Sequence, residues 1–336
     1  MTATARDGGA GVVAGIDIGG TTTQVLLCSP ELTVLARAEV PTPAAEGGRA
    51  MVGAALAALH GLLARTPHRP AGVGIGAAGI VDSHTGHILV ASDSFRGWAG
   101  YAVTDAIEAA LGIPAFLDND VNAFLRGEAS PRGAIAGESH ALGITLGTGV
   151  GGALWIDGEV YDGPHGAAGE IGHIPGFGDL PCSCGGRGHL ETLAAGRAIA
   201  ARYRERADPA AGPTTARDVL LAADDGDQDA RAVFRTAGTA IARAILITAG
   251  LIDVTTVVIG GGVSRAWSHL EPAIRTALTD EPPVSGRPVH LVRASLGDDA
   301  VALGAAARAR SELNASAGPA VPDCPSGVGA RGRLSA

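Results

Sequence analysis

Gly19, Gly20, Thr21 and Thr22 follow an apolar stretch that ends at Asp17, and residues of these types could bind phosphate. Glycine allows backbone N–H groups to approach an anion, and threonine hydroxyls add hydrogen bonds without adding charge. Asp17 could hold Mg²⁺ through water, because this ion gives up its hydration shell reluctantly. Taken alone, the segment is explained equally well as an ordinary hairpin turn.

A second turn of the same kind occupies residues 145–150 (Thr-Leu-Gly-Thr-Gly-Val), where Thr148 and Gly149 lie between two apolar stretches. We interpret the two turns as an internal repeat whose hairpins face each other across a cleft. The alternative is chance in a chain with 51 glycines. A third glycine turn, with Gly261 and Gly262, follows another apolar stretch. The three turns together favour nucleotide binding over unrelated hairpins.

Residues 118–122 (Asp-Asn-Asp-Val-Asn) place an acid at the start of a helix predicted over 121–129. The positive end of the helix dipole should keep Asp120 ionised, and a kinase needs such a carboxylate to accept a hydroxyl proton. A calcium-binding loop is excluded, because Ala123 and Ala129 stand where that loop requires glycine and glutamate. A helix cap is the simpler explanation of the local sequence, and capping is compatible with catalysis.

A glycine-rich loop carries residues that suit a tetrahedral zinc ion. The candidate ligands are His173, Cys182, Cys184 and His189. The ion would be structural and would hold the segments of Glu170 and Glu191 in place. The alternative is two free thiols and two surface histidines.

Composition excludes several kinds of chemistry. The chain contains no lysine, so every basic residue is arginine. This rules out a Walker phosphate loop, the β3 lysine of protein kinases, and Schiff-base chemistry with pyridoxal phosphate. The net charge is −9 and no segment concentrates arginine, so nucleic acid is not an expected partner.

Residues 74–79 (Gly-Ile-Gly-Ala-Ala-Gly) match the dinucleotide-binding fingerprint G-x-G-x-x-G. That fingerprint requires a helix that begins at its last glycines. Residues 80–87 are predicted to turn into another strand, so we attribute the match to composition.

The chain shows no sign of secretion or membrane insertion. It does not start with a charged segment followed by an apolar run, and its most apolar long stretch, 240–263, contains Arg243 and Asp253. Four cysteines are too few for a disulfide framework. We therefore expect the protein in a reducing cytoplasm, without a membrane partner.

Apolar periodicity predicts a mixture of strands and helices, which is typical of an α/β fold. A length of 336 residues suits two lobes with a cleft between them. Predicted strands cover residues 12–17, 24–28, 34–40, 72–76, 87–91, 115–117, 256–259 and 289–293. Predicted helices cover residues 46–65, 103–111, 121–129, two stretches within 214–251, and 300–310. Residues 1–9 are expected to be frayed.

These pieces, in this order, resemble the ROK family of bacterial sugar kinases and related repressors. The resemblance runs from about residue 11 to residue 310. It is carried by Asp17-Ile-Gly-Gly-Thr, Leu117-Asp-Asn-Asp-Val-Asn, Gly147-Thr-Gly-Val-Gly-Gly, Gly169-Glu-Ile-Gly-His and Cys182-Ser-Cys-Gly-Gly-Arg-Gly. It implies an actin-like (ribonuclease H-like) two-lobed fold that binds ATP, Mg²⁺ and a sugar in its cleft. It also implies a structural zinc ion and a homodimer.

The resemblance assigns roles to individual residues. Asp120 would be the catalytic base. The substrate would contact Gly79, Asn119, Asp120, Glu170, His173 and Glu191. ATP and Mg²⁺ would contact Asp17, Gly19, Gly20, Thr21, Thr22, Thr148, Gly149, Gly261 and Gly262. Zinc would be held by His173, Cys182, Cys184 and His189.

The resemblance also implies a division of the chain. Residues 1–125 would form a small lobe, on which a C-terminal helix at about 297–312 packs, and residues 126–296 a large lobe with the zinc loop and dimer-forming helices. Residues 313–336 would be a disordered tail. The sequence departs from the family at His189, where a third cysteine is usual, and at 93–98 (Asp-Ser-Phe-Arg-Gly-Trp), which lacks the Pro-Asn pair that often precedes Gly-Trp.

Residues 117–124 (Leu-Asp-Asn-Asp-Val-Asn-Ala-Phe) look more like the N-acetylglucosamine kinases of the family than like its glucokinases. The expected reaction is phosphorylation of N-acetylglucosamine at C6, with glucose, N-acetylmannosamine or another hexose as alternatives. A family repressor is disfavoured, because the first hairpin begins at residue 17 and leaves no room for a helix-turn-helix domain. An inert sugar sensor is the remaining alternative, although Asp120 is retained.

Overall fold

The computed structural model describes residues 11–92, 94–207 and 215–316. The first half of the chain forms a mixed five-stranded sheet. Its elements are, in chain order, β1 (Val13–Ile18), β2 (Thr22–Cys28), β3 (Val34–Pro41), α1 (Gly48–Leu63), β4 (Val73–Ala77), β5 (Ile80–Asp82), β6 (His87–Val90), α2 (Val103–Leu111), β7 (Ala115–Asn119) and α3 (Asp120–Ala129). The strand order is β3-β2-β1-β4-β7, and β5 and β6 pair separately. All of β4 and nearly all of β1 is buried, whereas β3 alternates between half-buried and exposed residues, as an edge strand does.

The second half forms another five-stranded sheet, with helices packed on it. Its elements are β8 (Ala141–Leu146), β9 (Val150–Ile156), β10 (Glu159–Val160), α4 (Glu191–Ala194), α5 (Gly196–Arg206), α6 (Ala216–Asp224), α7 (Gln228–Ile252), β11 (Thr256–Gly260), α8 (Trp267–Asp280), β12 (His290–Arg293) and α9 (Ala300–Ser316). The strand order is β10-β9-β8-β11-β12. Short 3-10 turns lie at Ala44–Glu46, Ile171–His173, Gly262–Ala266 and Gly297–Asp299.

The two sheets have the same topology. In each, a three-stranded antiparallel meander is extended by two parallel strands: β4 and β7 beside β1, and β11 and β12 beside β8. The predicted hairpins β1–β2 and β8–β9 are therefore confirmed, as is the α/β fold class. Matching strand orders are what an internal duplication predicts.

Helix α9 packs against β1, β4 and α3 so closely that several contacts require glycine. A Cβ on Gly15 of β1 or Gly74 of β4 would overlap backbone carbonyl groups of α9. On α9, a Cβ on Gly304 would overlap the carbonyl oxygen of Ala123 in α3. The end of the chain thus fixes the position of α3 relative to the first sheet.

A few boundaries differ from the predicted ones. Helix α1 occupies Gly48–Leu63 rather than 46–65, and α9 continues to Ser316, so the prediction of a disordered tail from residue 313 is wrong for its first four residues. The extension is stabilised by Leu313, which packs on Gly72 and on the cluster beside β2. Residues 1–9 and 317–336, for which disorder was predicted, lie outside the described residues, as does Asp93.

Helix α7 is long and apolar enough to cross a membrane, by length and composition alone. However, 61% of its most apolar window is buried inside the protein. Phe234, Ile241 and Ile245 of this helix join the core under the second sheet. A core helix passes the same test, so the helix is only weak evidence for a membrane span.

Candidate active site

The ends of three parallel strands bring the first group of candidate residues together. Strands β1, β4 and β7 run in register, with Asp17 beside Gly76 and Gly76 beside Asp118. The turn at Gly79 follows β4, and α3 begins at Asp120 directly after β7. Because parallel strands end at the same edge of a sheet, Asp17, Gly79 and Asp120 lie at one edge.

Asn119 caps helix α3. Its Oδ1 accepts hydrogen bonds from the N–H groups of Val121 and Asn122, at 2.8 and 3.2 Å. Its Nδ2 donates to the carbonyl oxygen of Gly79 at 2.9 Å and so ties the helix to the turn after β4. Asp120, the first helical residue, accepts a further bond from the N–H of Val121 at 3.0 Å. The capping interpretation is therefore right for Asn119, and it leaves Asp120 available for chemistry.

Burial governs the ionisation of the two acids at this edge. Burial raises the pKa of Asp120 to about 6, and the charge of Glu170 adds to the effect, against the hydrogen bond from Val121. Burial and then the charge of Asp120 raise the pKa of Asp17 to about 7. The expectation that the helix dipole alone sets the ionisation of Asp120 is thus incomplete, because loss of hydration outweighs it.

The first glycine turn lies between β1 and β2. The N–H of Gly19 donates to the carbonyl oxygen of Thr22 at 3.1 Å, and Gly20 and Thr21 are exposed. The ring of Phe95 lies against this turn, 3.1 Å from the position that a Cβ on Gly20 would take. No sequence pattern indicated Phe95, which is 75 residues away along the chain.

The second glycine turn lies beside the third. Strand β11 pairs in parallel with β8, so the residues that follow the two strands are neighbours. Gly261 has φ +83°, and a Cβ there would lie 2.6 Å from the carbonyl oxygen of Leu146. The structure therefore places Gly261 against the end of β8, two residues before Thr148, so the two turns begin side by side.

The four candidate zinc ligands form one cluster. One donor atom from each of His173, Cys182, Cys184 and His189 lies within 4.8 Å of all the others. The Sγ of Cys182 is 3.7 Å from Nδ1 of His173, and the Sγ of Cys184 is 3.3 Å from Nδ1 of His189. Ligand bonds of about 2.0–2.3 Å in a tetrahedron would separate such atoms by about 3.3–3.8 Å, so the residues fit a zinc ion.

Electrostatic coupling links four acids into a row between the glycine turns. Burial is the main cause of the raised pKa of Asp17, Asp120 and Glu170, and the negative charge of a neighbouring acid adds to it in each case. The charge of Asp120 acts on Asp17, that of Glu170 acts on Asp120, and that of Glu191 acts on Glu170. A Cβ on Gly149 would lie 2.7 Å from Oε2 of Glu191, so the row ends at the second turn. We call these four acids the carboxylate row.

Glu191 is the one acid of the row whose pKa is lowered. Burial acts to raise it, but hydrogen bonds from Ser183 and Cys182 and the charge of Arg197 hold it below its usual value. The donors are Ser183 Oγ at 2.7 Å, Cys182 Sγ at 3.2 Å and a guanidinium nitrogen of Arg197, all to Oε1. Ser183 and Arg197 were not indicated by the sequence, because no spacing rule connects Arg197 to the cysteine loop.

The arrangement is suited to phosphoryl transfer. Asp120 is a carboxylate with a pKa near 6 at a helix N-terminus, so it can be ionised at neutral pH and still accept a proton. Glycine turns at both ends of the carboxylate row can present N–H groups to phosphate oxygens. The match to the dinucleotide-binding fingerprint at 74–79, attributed above to composition, lacks the helix that this fingerprint requires, since β4 runs into β5.

Comparison with known proteins agrees with this geometry. The sequence profile of the ROK family matches residues 13–312. A glucokinase from Halalkalibacterium halodurans is 34% identical over 277 residues, which cover 78% of this chain and 83% of that protein. An N-acetylmannosamine kinase from Salmonella paratyphi A is 33% identical over 309 residues, which cover 88% of this chain and 98% of that protein.

A solved structure shares the fold. The ROK family glucokinase from Streptomyces griseus, in complex with glucose and AMPPNP, superposes with a TM-score of 0.78 at 31% sequence identity. The match covers 90% of this chain and 100% of that chain. The predicted actin-like fold is therefore confirmed.

Proposed function

Because the chain belongs to the ROK family, we propose that it transfers the γ-phosphoryl group of ATP to the C6 hydroxyl of a hexose. The glucokinase and the N-acetylmannosamine kinase compared above are each more than 30% identical to it over most of its length, so the chain is an ATP-dependent sugar kinase. The proposal is carried by the position of Asp120, a half-buried acid of raised pKa in a row that joins two glycine turns. The experiment that tests it is turnover of hexoses with ATP by the wild type and by Asp120→Asn.

Asp120 acts as the base in this proposal. It accepts the proton of the C6 hydroxyl while the hydroxyl oxygen bonds to the γ-phosphorus and the bond to the bridging oxygen of ADP breaks. A pKa of about 6 leaves Asp120 mostly ionised above pH 7. A positioned base contributes about 10²–10⁴-fold to the rate, and alignment and charge neutralisation supply the rest.

The glycine turns hold the nucleotide in this proposal. The phosphates are assigned to Gly19, Gly20, Thr21, Thr22, Thr148 and Gly149, and the adenosine to Gly261 and Gly262. Asp17 suits a water-mediated Mg²⁺ for two reasons. It forms no ion pair within the described residues, and, after burial, the negative charge of Asp120 raises its pKa, an effect that a cation would offset. When bound, Mg²⁺ neutralises charge on the phosphates.

The sugar hydroxyls are assigned to Glu170 and Glu191 of the carboxylate row and to residues beside the row. The proposed contacts are Gly79, Asn119, Glu170, His173 and Glu191. Asn119 gives one Nδ2 proton to Gly79 and retains the second for a hydroxyl. Its side chain is held by three hydrogen bonds, so it can contact a sugar without first losing rotational freedom.

A structural zinc ion is proposed at the Cys₂His₂ cluster. The donor set and its spacing fit zinc, and His189 provides the donor expected at the position of the usual third cysteine. The ion would fix the loop that carries Ser183 and would hold His173 beside Glu170. We expect about one zinc per chain in protein purified without chelators.

Which hexose is used follows from the sugar contacts only in part. We keep N-acetylglucosamine as the first candidate from residues 117–124, and glucose and N-acetylmannosamine gain support because kinases for them are among the relatives. A site discriminates an acetamido from a hydroxyl group by its shape and by the hydrogen bonds it offers. Comparison of kcat/KM for the three sugars with ATP identifies the substrate.

Further features of the proposal concern assembly. We propose two lobes, residues 1–125 with the C-terminal helix and residues 126–296, and a homodimer that forms through helices of the second. Light scattering tests the dimer. Hexose binding with no phosphorylation of any of the three sugars would instead favour the inert sensor.

A further inference from the structure

The two carboxylate oxygens of Glu191 have different surroundings. Oε1 accepts from Ser183, Cys182 and Arg197. Within residues 11–92, 94–207 and 215–316, no hydrogen bond to Oε2 is formed, and this oxygen lies against Gly149 of the second glycine turn. Only 6% of the side chain is exposed, and Oε2 is not among the buried polar atoms that lack a partner, so the exposed part of the side chain includes this oxygen.

Arg197 connects three parts of the site. It is the second residue of α5, and the first, Gly196, donates its N–H to the carbonyl oxygen of Gly147 at 2.8 Å. One guanidinium nitrogen of Arg197 donates both to Ser183 Oγ, at 2.8 Å, and to Oε1 of Glu191. That nitrogen carries two protons, so both bonds can form at once. The side chain of Arg197 therefore joins the cysteine loop to Glu191, and the backbone of the preceding residue ties the same end of α5 to the second glycine turn.

We infer that Arg197 and Ser183 are positioning residues that occupy Oε1 of Glu191 and aim Oε2 at a hydroxyl of the sugar. The inference rests on the proposed function, which assigns Glu191 to the sugar. Neither residue is one of the four proposed metal ligands, so a bound ion would leave both donors able to bond to Oε1. The bond from Cys182 is different, because a metal-bound thiolate has no proton to donate.

The surroundings explain why removal of the guanidinium would matter. A cavity of about 220 Å³ lies beside Arg197 and Ser183 and also borders Arg202. Without Arg197, water can enter from this cavity and bind Oε1, and the carboxylate is free to rotate. Both oxygens then become equivalent, and the sugar must order a mobile acid when it binds.

The expected effects concern sugar affinity rather than chemistry. Arg197→Met keeps the length of the stem but removes the donors, and it should raise the Kd and KM for the hexose about 10- to 100-fold, the range for loss of a hydrogen bond between charged groups. Ser183→Ala removes a neutral donor and should raise them about 3-fold. The kcat and the KM for ATP should change less than about 3-fold.

The experiment is a double-mutant cycle between Arg197→Met and Glu191→Ala. Hexose Kd is measured by calorimetry without ATP, and phosphorylation is measured in parallel on the full chain. Arg202→Met is the matched control, because Arg202 lies on the same helix, borders the same cavity and pairs with Glu205 instead. Arg197→Lys is a second variant that keeps the charge and replaces the planar fork, in case Arg197→Met does not fold.

If the inference is right, Arg197→Met weakens hexose binding in the wild-type background but by less than about 2-fold in the Glu191→Ala background. Arg202→Met binds normally, and Arg197→Lys lies between wild type and Arg197→Met. A loss in the Glu191→Ala background equal to that in wild type would assign Arg197 a purely structural role and overturn the inference. Normal binding by Arg197→Met would also overturn it. Hexose binding without phosphorylation would reject the proposed kinase activity alone, since the cycle of Kd values still decides the role of Arg197.

Discussion

Replacing Asp120 by Asn should abolish turnover and at the same time stabilise the folded protein. Asn cannot accept the hydroxyl proton, so kcat should fall about 10²–10⁴-fold. Its Oδ1 can still accept the bond that Asp120 accepts from Val121, so helix α3 keeps this contact. Hexose binding should therefore be retained, with a Kd within about 3-fold of the wild type.

The gain in stability follows from the raised pKa of Asp120. Its pKa rises from 3.8 to about 6 on folding, which corresponds to about 3 kcal/mol at about 1.36 kcal/mol for each pKa unit. Below about pH 3 the acid is protonated in both the folded and unfolded states and costs nothing. Between about pH 4 and about pH 6 the unfolded chain ionises while the folded protein keeps the acid protonated, so stability is lost progressively over this range and the loss is complete above about pH 6.

Urea unfolding of both proteins at pH 5 and pH 8, without ATP or sugar, measures this effect. The advantage of Asp120→Asn should be about 3 kcal/mol at pH 8 and about half of that at pH 5. Asp253→Asn is the matched control, because Asp253 is exposed, forms no ion pair within the residues that the structure describes, and has a left-handed backbone, with φ 55°, that Asn tolerates. An advantage that does not change with pH would refute the argument from burial. A kcat within tenfold of wild type would refute the role of Asp120 as base.

Three further outcomes are expected. The kcat/KM for the hexose should fall below about pH 6, because protonated Asp120 cannot act as a base; an activity that is flat from pH 8 to pH 5 would contradict this. Cys184→Ser should lose the zinc measured by elemental analysis and raise the hexose KM, whereas metal-free wild-type protein with full activity would argue against a structural ion. Gly304→Ala should lower the free energy of unfolding by about 3 kcal/mol, since its Cβ overlaps α3, while Gly61→Ala on the open face of α1 should raise it by up to about 1 kcal/mol in the same assay.

The parts of the site that depend on local sequence patterns could be predicted from the sequence. The glycine turns, the start of α3 near Asp120 and the Cys182–His189 loop each combine residue types within a few positions. Their chemistry follows from backbone conformation or from ligand type, so few distant contacts are needed to anticipate it. The strand order then brings these segments together, because both β1 and β7 end at the edge of the sheet where α3 begins.

Features that depend on distant packing could not be predicted in the same way. Arg197 binds Glu191 only because α5 begins beside the second glycine turn. Phe95 covers Gly20 through a loop that no pattern connects to β1. The continuation of α9 to Ser316 likewise depends on a tertiary contact, made by Leu313. The pKa of Asp120 belongs to this group, since a helix start indicates ionisation whereas the folded chain removes part of the acid's hydration.

The position of Asp120 depends on small residues far from the chemistry. Helix α3 touches α9 where a Cβ on Gly127 would overlap the carbonyl oxygen of Ala300, and again where Gly304 meets Ala123. Ala123 lies about one turn and Gly127 about two turns along α3 from Asp120. Because Asp120 is the first residue of α3, these contacts set the direction in which the helix presents the acid. One added carbon at either contact would displace the helix by up to about 1.5 Å. In the proposed mechanism the base must reach its hydroxyl at about 2.6–3.2 Å, so backbone contacts between α3 and α9 would determine the catalytic geometry as much as the residues proposed to bind substrate.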